Sequence, residues 1–173
     1  MLTISLSDER TSARDTLLRA SWSTRHNSHV YYGVRKIRKG RPGCRVSYFA
    51  SRKNSGLIPC ESEYLELAAC QLFESDQTVA RYRSQPVTIE LDDGSRYTPD
   101  FLLVSPSENL MLVECKRAAA LRQSKTQARI ALATRRLVEL GVPFRVMTEN
   151  DCRSNEAAIR TAHPALAYAR LWR

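Results

Sequence analysis

The chain has 173 residues, a formal net charge of +9 and a pI near 9.7. That length suits one domain with a core large enough to fold alone. No apolar run reaches the roughly 18 residues of a membrane span, and the N-terminal MLTISLSDER lacks the charged-then-apolar order of a secretory signal. A cytoplasmic protein without a membrane partner is therefore expected. Five cysteines, Cys44, Cys60, Cys70, Cys115 and Cys152, make an odd count with no CxxC or Cys/His spacing. A structural zinc site or disulfide framework is not expected, and these thiols read as small buried hydrophobes in a reducing compartment.

The positive charge is unevenly placed. From Thr16 to Cys60 there is no Asp or Glu, against ten Lys or Arg. Eight of the ten, Arg35, Lys36, Arg38, Lys39, Arg41, Arg45, Arg52 and Lys53, fall in one block with Tyr31, Tyr32, Tyr48 and Phe49 around it. Such an acid-free, aromatic-interleaved block is the footprint of contact with a phosphate backbone, so residues 1–55 read as a basic DNA-contacting region. Within it, Asp8–Ala20 reads as a helix with a poor apolar stripe, Leu17 and Leu18. Val30–Val34 and Arg45–Ala50 read as strands joined by a basic loop at Lys39–Gly43.

Residues 56–152 read as the core and 153–173 as a short helical tail broken at Pro164. Ser62–Phe73 is expected as a helix N-capped by Ser62, because Leu65, Ala68, Ala69, Leu72 and Phe73 recur at the three-and-four spacing of a buried face. Glu66 lies about 100° from Leu65, on the border of that stripe, able to reach a cleft against a sheet. Strands are expected at Val79–Tyr82 and Pro86–Leu91, then 96–104 and 110–115 around a Ser/Pro/Asn-rich hairpin turn. Asp100 stands at the mouth of one hairpin strand. Glu114 and Lys116 end the other, on one face, with Cys115 on the opposite face. Charged groups at the ends of very apolar strands must be paired or metal-bound, so two carboxylates and an ammonium converging there make a divalent-metal site. Ala118–Leu140 has strong helix composition and stops at Gly141. Pro143–Thr148 is a further strand, parallel to 110–115 as the return from a crossover helix. The order is α-β-β-β-α-β, a three-layer α/β arrangement with a mixed sheet flanked by helices.

Pro99-Asp100 followed by Glu114-Cys115-Lys116 resembles the PD-(D/E)xK nuclease signature. That superfamily's restriction-endonuclease-like core has the same element order. The neighbouring text narrows the likeness. Ser62-Glu63-Tyr64-Leu65-Glu66-Leu67-Ala68, Val79-Ala80-Arg81-Tyr82-Arg83, Gln85-Pro86, Thr98-Pro99-Asp100-Phe101-Leu102, Val113-Glu114-Cys115-Lys116, Lys116–Leu121 and Thr148-Glu149-Asn150-Asp151 follow in order. In this the chain resembles the TnsA family, the endonuclease subunit of heteromeric cut-and-paste transposases, over roughly residues 45 to 150.

The resemblance implies a catalytic set of Glu66, Asp100, Glu114 and Lys116. Glu66 is chosen over Glu61 and Glu63 because nineteen residues separate it from Gln85 and Leu67-Ala68 follows it. It implies Mg²⁺, with Mn²⁺ substituting: Asp100 as central ligand, Glu114 second, the Cys115 carbonyl beside them, and Glu66 at a second ion or its water shell. Lys116 would orient or help deprotonate the attacking water and stabilise developing charge. Gln85 either orients a ligand from the cleft edge or only shapes the chain before Pro86. Arg117, Arg122 and Lys125 read as solvated cations able to meet phosphates. The implied substrate is double-stranded DNA at transposon ends, and the implied partners are a DDE transposase and an AAA+ ATPase regulator. Relatives often carry a further domain for ATPase contact; here the short tail or the basic N-terminal region is expected to serve instead. Two alternatives stand beside this: another nuclease with the same core, in restriction, repair or phage biology, and a non-catalytic DNA-binding subunit.

Overall fold

The structure, a computed structural model, describes residues 14–19, 46–61 and 64–154. The strand at Val30–Val34, the loop at Lys39–Gly43, the cap at Ser62 and the tail helix lie outside these residues, as do Arg35, Lys36, Arg38, Lys39, Arg41 and Arg45. The central sheet has four strands in the order β3–β6–β7–β8: Arg81–Ser84, Phe101–Val104, Leu110–Cys115 and Phe144–Met147. The first three run antiparallel, and β8 lies parallel to β7. A hairpin of β1 (Ser47–Ser51) and β2 (Gly56–Cys60) and a small ribbon of β4 (Ile89–Glu90) and β5 (Arg96–Tyr97) complete the strands. The helices are α1 (residues 14–19), α2 (Leu65–Ser75), α3 (Ser124–Glu139) and α4 (Glu149–Ser154). This is the expected mixed α/β sheet flanked by helices.

Alternation along the strands divides the core. Tyr82, Phe101, Val113 and Cys115 face α2 with Ala69, Cys70 and Phe73. Leu102, Val104, Leu110 and Leu112 face the other way, against Leu137 and Leu140 of α3 and its end, with Leu17 of α1. Phe73, Tyr82 and Phe101 form a T-shaped triad with ring centroids 5.3 to 6.5 Å apart, which ties α2 to the sheet. The four described cysteines are buried and free.

Several elements differ from expectation for identifiable reasons. The sheet strand is 81–84, not 86–91. Gln85 takes a left-handed φ of +45° and Pro86 has no N–H to give to a ladder, so the strand ends at Ser84. The stretch 96–104 splits into β5 and β6 around Thr98-Pro99-Asp100 for the same reason. Strand β2, whose Pro59 sits opposite Tyr48, was not foreseen. The division expected at residue 55 runs through the turn of the β1–β2 hairpin. Residues 118–123 form a 3-10 turn (Ala120–Arg122) and an extended Gln123 before α3 begins at Ser124. At the other end of α3 the Gly141 stop holds: φ is +67°, Gly141 N–H donates to Val138 O (3.0 Å) and Val142 N–H to Leu137 O (2.9 Å).

Glu74 and Lys53 fasten the first hairpin to the core. The Glu74 carboxylate accepts from the Ser51 hydroxyl (2.9 Å), the Arg52 and Lys53 N–H groups (2.7 and 3.0 Å) and the Tyr82 hydroxyl (2.9 Å). The Lys53 ammonium donates to the carbonyls of Phe73 and Val79 (2.7 Å each) and of Asp76, capping the orphan carbonyls at the end of α2. Lys53 therefore leaves the expected phosphate-contacting set: its charge is engaged inside the fold. Arg52 stays exposed. Lys53→Met is expected to lower unfolding free energy by about 1–3 kcal/mol, because buried carbonyls lose their donor, whereas Arg52→Met stays within about 0.5 kcal/mol. Urea unfolding of the two variants checks this, and equal effects would contradict the cap.

Candidate active site

The cleft lies where the strand ends of the central hairpin meet the start of α2 and the start of α3. It has a volume of about 700 Å³, and Glu66, Gln85, Asp100, Glu114 and Lys116 face Lys125 and Arg129 across it. Phe101 pairs with Val113, so one step further along the register Asp100 stands opposite Glu114. Asp100 is held twice. Its Oδ2 accepts the Cys115 N–H (2.8 Å), and its main-chain oxygen accepts the Gln85 N–H (2.7 Å). That N–H extends the β3–β6 ladder by one position before the chain turns left-handed at Gln85.

Glu114 is 4% exposed, and its Oε1 lies 2.5 Å from the Lys116 ammonium. Lys116 is fixed behind by its own N–H to Met147 O (2.9 Å) of the parallel strand. The next turn is fixed by Ala118 N–H donating to Glu149 Oε2 (2.9 Å). That gives the Thr148–Asp151 motif a structural role, since Asp151 Oδ2 also accepts the Thr148 N–H at 2.8 Å. Glu66, in the first turn of α2, is buried and lines the cleft that its place on the border of the apolar stripe lets it reach, and its Oε2 accepts the Glu61 N–H at 2.8 Å.

The structure thus brings Glu66, Gln85, Asp100, Glu114, Cys115 and Lys116 to one cleft. Of the four catalytic candidates, Asp100, Glu114 and Lys116 come from adjoining strand ends and Glu66 from the helix beside them. Lys125 also lines the cleft, while Arg117 and Arg122 are exposed outside its lining. Sequence reasoning missed Tyr97 and Arg129, which share the wall, with the Arg129 guanidinium 5.7 Å from the Tyr97 ring centroid. Tyr97 carried no signal beyond its place before Thr98-Pro99-Asp100.

Crowding of like charge dominates the electrostatics. Burial first, then the Glu114 and Glu66 carboxylates, push Asp100 up to about 8, against the opposing pull of Lys116 and the Cys115 N–H. Burial draws Lys116 down. Glu114 and then Asp100 outweigh it and hold the ammonium above its ordinary value. Among the described residues no three His, Cys, Asp or Glu side chains stand ready-gathered around a metal position. The carboxylates instead hold protein donors, the N–H groups of Cys115 and Glu61 and the Lys116 ammonium. The donor set nonetheless fits a hard divalent cation. Glu114 Oε2 and Gln85 Oε1 are buried oxygens without a hydrogen-bond partner among the described residues, and the crowding at Asp100 is of the kind a cation relieves.

The mixed sheet flanked by helices is compatible with a restriction-endonuclease-like α/β fold. Residues 76–149 match the family model described as TnsA-like endonuclease N terminal, consistent with a TnsA-like endonuclease catalytic domain. The match includes Gln85, Asp100, Glu114 and Lys116 and stops short of Glu66. It supports a nuclease role in transposition. A comparison with curated proteins finds no match. Among the described residues no helix is long and apolar enough to cross a membrane.

The Asp100 shift sets a pH dependence. Its folded value of about 8 lies above the ordinary 3.8, so between those values the folded state binds more protons than the unfolded state. The contribution to stability is full below the ordinary value and is lost as pH rises through about 8. In chelator, the melting temperature is expected to fall as pH rises from 5 to 9, and Asp100→Asn is expected to flatten the fall. A wild-type profile as flat as that of the variant would contradict the shift.

Proposed function

We propose that this protein is a Mg²⁺-dependent DNA endonuclease subunit of a heteromeric cut-and-paste transposase, hydrolysing one phosphodiester strand at transposon ends. The observation carrying the reading is the convergence of Asp100, Glu114, Lys116 and Glu66 on one cleft within and beside a TnsA-like domain. Asp100 and Glu114 would hold the cation, with Cys115 beside them and Glu66 at its outer side. A bound Mg²⁺ supplies charge neutralisation at the phosphate and help for the leaving oxygen. In the reaction, water oxygen adds to phosphorus and the bond to the leaving sugar oxygen breaks.

The residues act by position. Lys116, held charged by its neighbours, serves as a hydrogen-bond donor to the attacking water and to the charge that builds on phosphate. Asp100, with its Oδ2 held by the Cys115 N–H, would offer its other carboxylate oxygen to the cation. Lys125 and Arg129 supply the positive wall along which a phosphate backbone lies. Double-stranded DNA is the substrate, and the partners are a DDE transposase that cuts the other strand and an AAA+ regulator. A non-catalytic DNA-binding role does not explain why three acids and a lysine are gathered at a cost in charge crowding.

Nicking of supercoiled plasmid in Mg²⁺ or Mn²⁺, alone and with the partner transposase on transposon-end DNA, tests the reading. Asp100→Ala and Lys116→Ala are each expected to lower the rate by about 100-fold or more. Equal cutting by wild type and both variants would leave the DNA-binding role in its place.

A further inference from the structure

One residue of the cleft is placed in a way that packing does not explain. Tyr97 is 4% exposed, and its hydroxyl is buried without a hydrogen-bond partner among the described residues. Buried tyrosine hydroxyls ordinarily find a partner, and a phenylalanine would fill the same space without stranding an oxygen. Glu114 presents the complementary atom. Its Oε1 is engaged by Lys116, while its Oε2 is buried and equally without a partner. The two groups are close: after burial, the Glu114 carboxylate is the strongest influence pushing the phenol above its ordinary value. The same carboxylate also raises the phenol by acting as a hydrogen-bonding neighbour, and both residues line the cleft.

The ring itself has little freedom. It packs edge-on against Phe144 at 6.2 Å, and Arg129 stands over its face while donating to the neighbouring Arg96 carbonyl. With the ring held, the Glu114 carboxylate is the partner left to adjust to the hydroxyl.

We propose that Tyr97 is a positioning residue of the metal site, its hydroxyl donating to Glu114 Oε2 so that Oε1 is presented to a divalent cation. The inference rests on the reading of Glu114 as a ligand. It follows a general pattern in which ligating carboxylates are themselves hydrogen-bonded, and loss of such a partner weakens the metal more than the fold. It also accounts for two stranded buried oxygens with one bond.

The test is Mn²⁺ binding by electron paramagnetic resonance, with thermal unfolding and nicking in parallel, on wild type, Asp100→Ala, Tyr97→Phe and Phe144→Leu. Tyr97→Phe is expected to melt at or above the wild-type temperature, because an unsatisfied hydroxyl is removed. Its Mn²⁺ affinity is expected to fall about tenfold, with nicking restored by raising Mn²⁺. Phe144→Leu, which loosens the ring and leaves the hydroxyl, is expected to melt lower than Tyr97→Phe and to lose less affinity than it does. Wild-type affinity in Tyr97→Phe, with binding lost in Asp100→Ala, would overturn the inference and leave the metal reading standing. No Mn²⁺ binding by wild type would overturn both.

Discussion

Asp100 closes the open end of the central sheet. Its carbonyl takes the N–H that follows β3 and its carboxylate takes an N–H at the end of β7, while its own chain continues into β6. Three strands are therefore joined at one residue, at the end where a sheet would otherwise fray. One of the two bonds, from the Cys115 N–H, engages the carboxylate and leaves its other oxygen out of the sheet's hydrogen bonding. The chain turns left-handed at Gln85 directly after giving the other donor.

The sequence exposed the middle of this design better than its edges. The hairpin of β6 and β7, helices α2 and α3 and the parallel return of β8 were legible because apolar residues recur at a clear period and stop at Gly or Pro. Glu114 and Lys116 followed from strand alternation, and Asp100 from its place at the hairpin mouth. The stretch 86–91 shows where such reading fails. Val87, Ile89 and Leu91 are all buried, as their alternation implied, but they pack beneath α3 while the sheet hydrogen bonds belong to 81–84. Period-two burial reports which side chains are covered, and it says nothing about which backbone is paired. Tyr97 and the burial of Glu66 were beyond reach for a related reason: both depend on elements that are neighbours only in space.

Lys53 makes the same point for charge. In the sequence it belongs to a basic block that looks uniform. In the fold its ammonium ends a helix, and burial pulls its proton affinity below the ordinary value even with Glu74 and Asp76 nearby. Arg52, one residue earlier, keeps its charge in solvent. A count of positive residues therefore overstates what a surface can offer a polyanion, and the cations on the α3 side, Lys125 and Arg129, line the cleft while the described part of that block does not.

The parallel pairing of β7 with β8 carries a consequence for how the protein comes to be active. The strand that braces Lys116 returns only after the whole of α3 has been made, and the cleft draws on residues from Glu66 to Arg129. Contacts so distant along the chain form late, after the local hairpins and helices. During synthesis the acids of α2 and β7 are therefore present well before the braced lysine and the α3 wall. A nascent or truncated chain would hold the charges without their geometry, so the assembled cleft arrives with completion of the core rather than growing with chain length.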